Sequence, residues 1–454
     1  MSSNTTSEFD AIVVGSGISG GWAAKELTER GLKVLLVERG PHITHREDYS
    51  GEDKAPWEMP FAGRIPEKEA NRDYFVQKDC YALEGATKKF FVNDRIHQYM
   101  HPKEKPFTWI RGYQLGGRSQ LWARQTYRWS DIDFRANKTD GHGIDWPIRY
   151  QDIAPWYDHV EKFAGISGSL EGLDQLPDGK FLPPMKMNCV ETEAKQKIEK
   201  AFPTRKMIIG RCANLTEPTK EHLELGRGRC QYRNECEKGC SFGASFSSLS
   251  ATLPAARRTN NLTTVTDAIV HSVTYDNVSK RATGVKIIDA NTKDYRQYSG
   301  RIIFLCASTL GSTQIMLNSI SESFPNGVAN SSDTLGHYLM DHIFMSGARG
   351  EHPGFQENYY SGRRPNGIYI PRYRNVTEQD DRFLRGYGFQ GGASRPNWRR
   401  GLNMQGIGLE LKEKLREPGS WQFHLGGFGE MLPDKRNRVL LDKNKQDQWG
   451  IPLL

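Results

Sequence analysis

The chain has 454 residues, 37% of them hydrophobic and 26% charged, which is enough for two or three domains with buried cores and excludes wholesale disorder. Its 62 basic and 54 acidic residues leave a formal net charge of +8, but the signs are interspersed, as in Glu67-Lys68-Glu69, which argues against a nucleic-acid-binding face. The longest apolar run, Ile302 to Ala307, falls far short of the roughly 18 residues that a membrane span needs.

Met1 to Glu8 is polar and has no apolar core of the kind a signal peptide carries. The first apolar stretch, Phe9 to Val14, is rich in β-branched residues and reads as a strand. Gly15-Ser16-Gly17-Ile18-Ser19-Gly20 follows, and Trp22 to Leu27 then has helical spacing. Gly31 is placed to end that helix, and Lys33 to Val37 forms a second strand ending at Glu38. A strand, glycine turn, helix and strand closed by an acid predict a dinucleotide site. Gly15 permits the tight turn, Gly17 admits a pyrophosphate against the backbone, and Gly20 lets helix and strand pack closely. The helix N-terminus presents N–H groups to the phosphates, and Glu38 can accept from ribose hydroxyls. The same carboxylate disfavours NADP by repelling a 2′-phosphate, while the choice between FAD and NAD stays open on this unit alone.

A polar, proline-punctuated insertion then leads to a second glycine motif, Arg111-Gly112-Tyr113-Gln114-Leu115-Gly116-Gly117-Arg118-Ser119-Gln120-Leu121-Trp122. Gly116 and Gly117 remove two side chains where backbone could approach a flat ring. Ser119 supplies a donor, and Trp122 a rigid face.

Three of the seven cysteines, Cys230, Cys236 and Cys240, fall within eleven residues. Three readings stay open: zinc with a distant fourth ligand such as Cys212 or His222, a disulfide plus a spare thiol, or an iron–sulfur cluster. Cys306 reads as a buried core residue. Farther on, strands are expected over Asn261 to Thr266, Arg301 to Leu305, Phe423 to Phe428 and Arg438 to Asp442.

Taken together, these segments resemble the glucose–methanol–choline (GMC) oxidoreductase family. The likeness is strongest to the flavin subunits of bacterial sugar and gluconate dehydrogenases. It runs through the N-terminal fingerprint with its Glu38-Arg39-Gly40 ending, Leu115 to Ser119, Asp145 to Trp156, the cysteine cluster, Ala307 to Ser312, Leu335 to His342, and Asp447 to Pro452. The resemblance implies an α/β FAD-binding, Rossmann-like domain beside an α+β substrate domain with an antiparallel sheet. It divides the chain into a discontinuous FAD-binding domain (8–40, 105–135 and 226–345), an insertion or lid (41–104), and an incomplete substrate domain (146–225 and 346–454). Non-covalent FAD would contact Gly15, Ser16, Gly17, Ile18, Ser19, Gly20, Glu38, Arg39, Arg111, Gly116, Gly117, Ser119, Trp122 and the backbone of Val265. Leu121 stands where some relatives attach the flavin through a histidine. Cys230, Cys236 and Cys240 would ligate a three-iron cluster.

The implied activity is oxidation of a CH–OH group in a sugar or polyol, with hydride passing to flavin N5. Electrons would leave to an acceptor other than oxygen, such as a cytochrome c, with the help of a small partner subunit. Such a partner could also bring an otherwise cytoplasmic chain to the periplasm or membrane. The family's catalytic histidine belongs to a stretch beyond the matched region, so no catalytic residue is assigned. His337 and His342 match a structural segment. The apolar close at Leu454 suggests a truncated portion, which leaves a non-catalytic flavin-binding remnant or an oxygen-using sugar oxidase as alternatives.

Overall fold

The structure is a computed structural model that describes residues 8–344, 346–359, 367–397, 400–401 and 404–454. The polar opening segment, 1–7, lies outside the described residues. The two apolar runs at the start become β1 (Phe9–Val14) and β2 (Val34–Val37), paired in parallel from Ala11 opposite Val34 to Val14 opposite Val37. The helix joining them, Ile18–Glu29, begins four residues before Trp22, because Gly21 N–H already donates to the Gly17 carbonyl at 2.8 Å. It ends before Gly31, whose φ of +81° a residue with a Cβ would resist.

After a short strand of another sheet, β3 (Ile208–Ile209), the first sheet is completed by four strands. These are β4 (Leu262–Val265), β5 (Ala268–Asp276), β6 (Arg281–Asp289) and β7 (Tyr295–Leu305). The order is β4-β2-β1-β7-β6-β5. The first four run parallel, and β5, β6 and β7 form an antiparallel meander, so β7 serves both ladders. The second sheet is antiparallel. It contains β3, β8 (His342–Ile343), β9 (Gly347–His352), β10 (Ile368–Ile370), β11 (Gly388–Ser394) and β12 (Trp421–Glu430). The expected fold class is therefore present: a largely parallel α/β sheet beside an antiparallel one.

The strand expected over Phe423 to Phe428 is β12. The one expected at Arg438 to Asp442 starts only at its last residue, as β13 (Asp442–Gln446), which pairs with β14 (Pro452–Leu453). Arg438 and Val439 are drawn elsewhere: Arg438 bridges His337, and Val439 N–H donates to the Gly336 carbonyl at 2.7 Å.

Both faces of the parallel strands are covered, so Val34 to Val37 are at most 1% exposed with no polar alternation. On one face Val13 and Leu36 pack with Leu249, Leu253 and the insertion residues Ile43, Tyr49, Phe90 and Phe91. On the other, Ile12 and Leu35 meet Val270, Ile287 and Ile315. The insertion after Gly40 is thus no free lid. Its buried Phe90 alone stabilises the sheet by about 1.5–3 kcal/mol, and removing the segment would strip one face of the core.

Candidate functional site

A cavity of about 720 Å³ opens at the carboxyl ends of β1, β2 and β7, the crevice where sheets of this kind bind ligands. The glycines of the first turn shape it. Gly15 has φ +92°, and a Cβ there would lie 2.6 Å from the Cys306 carbonyl oxygen. A Cβ on Gly20 would sit 1.8 Å from the Gly15 carbonyl oxygen, so helix and strand approach as closely as backbones allow. Gly17 is different: nothing lies within 4 Å of its would-be Cβ, and that open space is part of the cavity. The helix behind it has no side-chain cap at Gly17, so its first N–H groups are free for an anion. A second helix, Ser308–Asn318, also starts without a side-chain cap, and its Thr309, Leu310 and Gly311 line the same space.

The two glycine motifs, a hundred residues apart in sequence, meet here. Gly116 N–H donates to Ser16 Oγ at 2.8 Å, and a Cβ on Gly117 would come within 3.2 Å of Gly17 Cα. Ser16 in turn donates to Glu38 Oε2 from its N–H at 3.0 Å and its hydroxyl at 2.5 Å, while Gly40 N–H donates to Oε1 at 3.0 Å. Burial pushes the Glu38 carboxyl above its ordinary range, opposed by these hydrogen bonds. The acid lines the cavity but already holds the turn, a role not foreseen for it.

Two guanidinium groups border the cavity. Arg39 lies 4.7 Å from the Tyr113 ring and 5.3 Å from that of Trp449, with Asp447 at 3.4 Å. Arg111 stacks 4.4 Å from the Trp109 ring, donates to the His97 carbonyl and stands 3.8 Å from Asp94. The Nε atoms of both are buried without a hydrogen-bond partner. Ser119 and Trp122 also line the cavity. Ser119 Oγ donates to the Gly116 carbonyl at 2.6 Å, and Trp122 Nε1 to the Phe246 carbonyl at 3.0 Å, so Trp122 offers its face rather than its N–H.

Of the residues expected to hold a cofactor, Gly15, Ser16, Gly17, Ile18, Ser19, Glu38, Arg39, Arg111, Gly117, Ser119 and Trp122 line the cavity, and Gly20, Gly116 and Val265 do not. Val265 instead accepts the Glu38 N–H at 2.8 Å through its carbonyl, which leaves that oxygen turned to the strand rather than to a ligand. Leu121 is buried in the core beside Leu115. Cys306 corrects its expectation: it is only half-buried and lines the cavity. His271 lines it without a sequence signal, Asp341 and Ile451 line it from two of the segments that carry the family resemblance, and His337 and His342 do not line it.

The cysteine loop is a separate place. Cys230, Cys236 and Cys240 all border one pocket with Asn214 and Tyr232. No disulfide forms: all seven cysteines are free. Among the described residues, no group of three or more His, Cys, Asp or Glu side chains is placed to hold a metal ion. One zinc would draw its sulfurs to about 2.3 Å from a single point. Here Asn214 Nδ2 stands 3.9 Å from both Cys230 Sγ and Cys236 Sγ. The distant candidates are engaged too. Cys212 sits 3.3 Å from Ser167 Oγ, its thiol pushed up to about 12 by burial, and His222 is held by Thr219 N–H at 3.0 Å and by the Lys162 carbonyl at 3.0 Å.

A glycine turn on an uncapped helix, an acid closing β2, and a second glycine segment against them define a dinucleotide-binding oxidoreductase fold. The chain belongs to the GMC oxidoreductase family, whose sequence profile, described as GMC oxidoreductase, matches residues 9–344; members of this family bind FAD. It is similar to the fructose dehydrogenase large subunit of Gluconobacter japonicus (24% identity, 99% of this chain and 79% of that one). It is also similar to 2-methyl-1,2-propanediol dehydrogenase of Mycolicibacterium austroafricanum (26%, 98% and 76%) and to the gluconate 2-dehydrogenase flavoprotein of Pantoea cypripedii (23%, 99% and 76%). The fold is shared with the crystal structure of pyridoxine 4-oxidase from Mesorbium loti: TM-score 0.51 at 15% identity, over 92% of this chain and 71% of that one. The cavity fits FAD: the open Gly17 cradle and two uncapped helix starts suit a diphosphate, and the Trp122 wall suits a planar ring.

Proposed function

We propose that this chain is the flavin-binding portion of a dehydrogenase that oxidises a CH–OH group of a sugar or polyol. The observation that carries the reading is the joining of the two glycine motifs around one cavity through Ser16. The relatives named for fructose, gluconate and a propanediol support the substrate class, since each of those compounds carries hydroxyl-bearing carbon.

FAD, bound non-covalently, would supply at N5 the hydride acceptor that oxidation of a carbinol requires. Gly15 to Ser19 would hold the diphosphate against the helix start. Glu38 keeps the turn in shape and presents its remaining acceptor capacity to ribose. Arg39 and Arg111 contribute positive charge, Gly117 lets backbone approach the ring, and Trp122 lends it a face. The base is not assigned among the described residues.

Cys230, Cys236 and Cys240 would hold a three-iron cluster carrying one-electron chemistry. Their shared pocket supports this, because a cluster with one thiolate per iron does not need the close gathering that one ion demands. A small partner subunit and a cytochrome c acceptor complete the reading; the words "large subunit" in one relative's name support the former. Such a partner would also settle where the chain resides.

The test is anaerobic addition of fructose, gluconate or a 1,2-diol to the FAD-loaded chain. Bleaching of the flavin, with dye reduction and little peroxide in air, is expected. A flavin that stays oxidised makes the chain a non-catalytic remnant, and rapid peroxide makes it an oxidase. Iron and acid-labile sulfide in protein purified without oxygen test the cluster, and iron-free protein overturns it.

A further inference from the structure

The segment after the cysteine loop is buried and rich in hydroxyl groups: Ser245, Ser247, Ser248, Ser250 and Thr252 are all at most 3% exposed. Ser248–Thr252 winds as one π-helical turn, a form that recurs at functional sites. It lies against the phosphate-facing helix, since a Cβ on Gly21 would come 2.4 Å from Thr252 Oγ1 and 2.8 Å from Ser248 Oγ.

Ser248 touches both glycine motifs. Its N–H donates to Ser119 Oγ at 2.9 Å, and its hydroxyl donates to the Gly17 carbonyl at 3.0 Å. That carbonyl shares a rigid peptide plane with the Ile18 N–H, which points the opposite way across the plane. Ile18 lines the cavity. The Ser248 hydroxyl joins the helical Gly21 N–H, at 2.8 Å, on that carbonyl, and the second bond narrows the direction open to the first helical N–H.

We propose that Ser248 is a positioning residue for the cofactor's diphosphate: its hydroxyl holds the Gly17–Ile18 peptide so that the Ile18 N–H faces the anion. The inference rests on the FAD reading above. It concerns binding of the diphosphate, not the ring.

The experiment measures FAD, ADP and riboflavin binding to the apoprotein of the full chain and of Ser248→Ala. Loss of one such hydrogen bond weakens FAD and ADP about tenfold, and riboflavin, which carries no phosphate, is unaffected. Ser248→Thr keeps the hydroxyl and restores ADP affinity. Unchanged ADP affinity in folded Ser248→Ala overturns the proposal, as does an equal loss for ADP and riboflavin, which would mark a general structural role. Should Ser248→Ala not fold, Ser248→Cys serves, with a partial loss for ADP expected and no loss overturning the proposal. A wild-type chain that binds neither FAD nor ADP refutes the FAD reading itself, a result separable from the others.

Discussion

The Glu38 carboxylate holds both the backbone N–H of Ser16, at 3.0 Å, and its hydroxyl, at 2.5 Å. The acid at the end of β2 is therefore a structural part of the glycine turn, besides the ribose contact proposed for it. Glu38→Gln places an NH₂ group against N–H donors of Ser16 or Gly40, a buried mismatch costing about 1–3 kcal/mol. A lower melting temperature of the apoprotein, together with FAD affinity at least about tenfold weaker, is the expected result, read by thermal unfolding and by flavin fluorescence.

Gly17 and Gly20 separate binding from folding. A methyl group at Gly17 meets no protein atom within 4 Å but would take space that the proposed diphosphate needs. Gly17→Ala should leave the apoprotein melting temperature nearly unchanged and abolish flavin retention. Gly20→Ala drives a methyl into the Gly15 carbonyl, 1.8 Å away, and should cost about 2–4 kcal/mol of stability. Equal stability loss in both variants would contradict this assignment.

Acid should destabilise the fold through two partly buried histidines, His97 beside Arg39 and Arg111 and His45 beside Tyr49. Burial, then the charges of Arg39 and Arg111, hold His97 down to about 3, and burial holds His45 down to about 4. Between these values and the unfolded value near 6.5, the unfolded chain binds protons that the folded one refuses. Stability therefore rises with pH across that window and is lost as pH falls below about 6.5, by up to about 1.4 kcal/mol per pH unit for each histidine. Glu38 acts in the opposite sense, because its raised carboxyl makes stability fall as pH rises above the ordinary carboxylate range. His97→Phe should flatten the acid slope of the melting temperature, and an unchanged slope would contradict it.

Cys306 reports on cavity occupancy. It lines the cavity, and burial raises its thiol above the ordinary range, so alkylation should begin at higher pH than for a free cysteine. FAD should protect it. Peptide mapping after alkylation, with and without FAD, reads this directly, and equal labelling would place the flavin elsewhere.

The βαβ unit was legible because β-branched runs, glycine spacing and the closing acid are local signals, and the structure keeps all three. The second motif was legible as backbone glycines, yet nothing local showed that Gly116 would reach Ser16. Ser248 left no trace, since a serine in a run of serines has no periodicity, and only the fold brings it to Gly17. The insertion's polar, proline-rich character hid Phe90 and Phe91, which are buried in a core shared between the insertion and the sheet. Cysteine spacing placed three thiols at one pocket. It could not say that Asn214 would stand beside them.

The central claim is that this cavity holds FAD. Equilibrium titration of the folded apoprotein with FAD, followed by flavin absorbance and fluorescence, tests it most directly. One FAD per chain, retained through gel filtration, is the predicted outcome. A well-folded protein that stays colourless in excess FAD would contradict it.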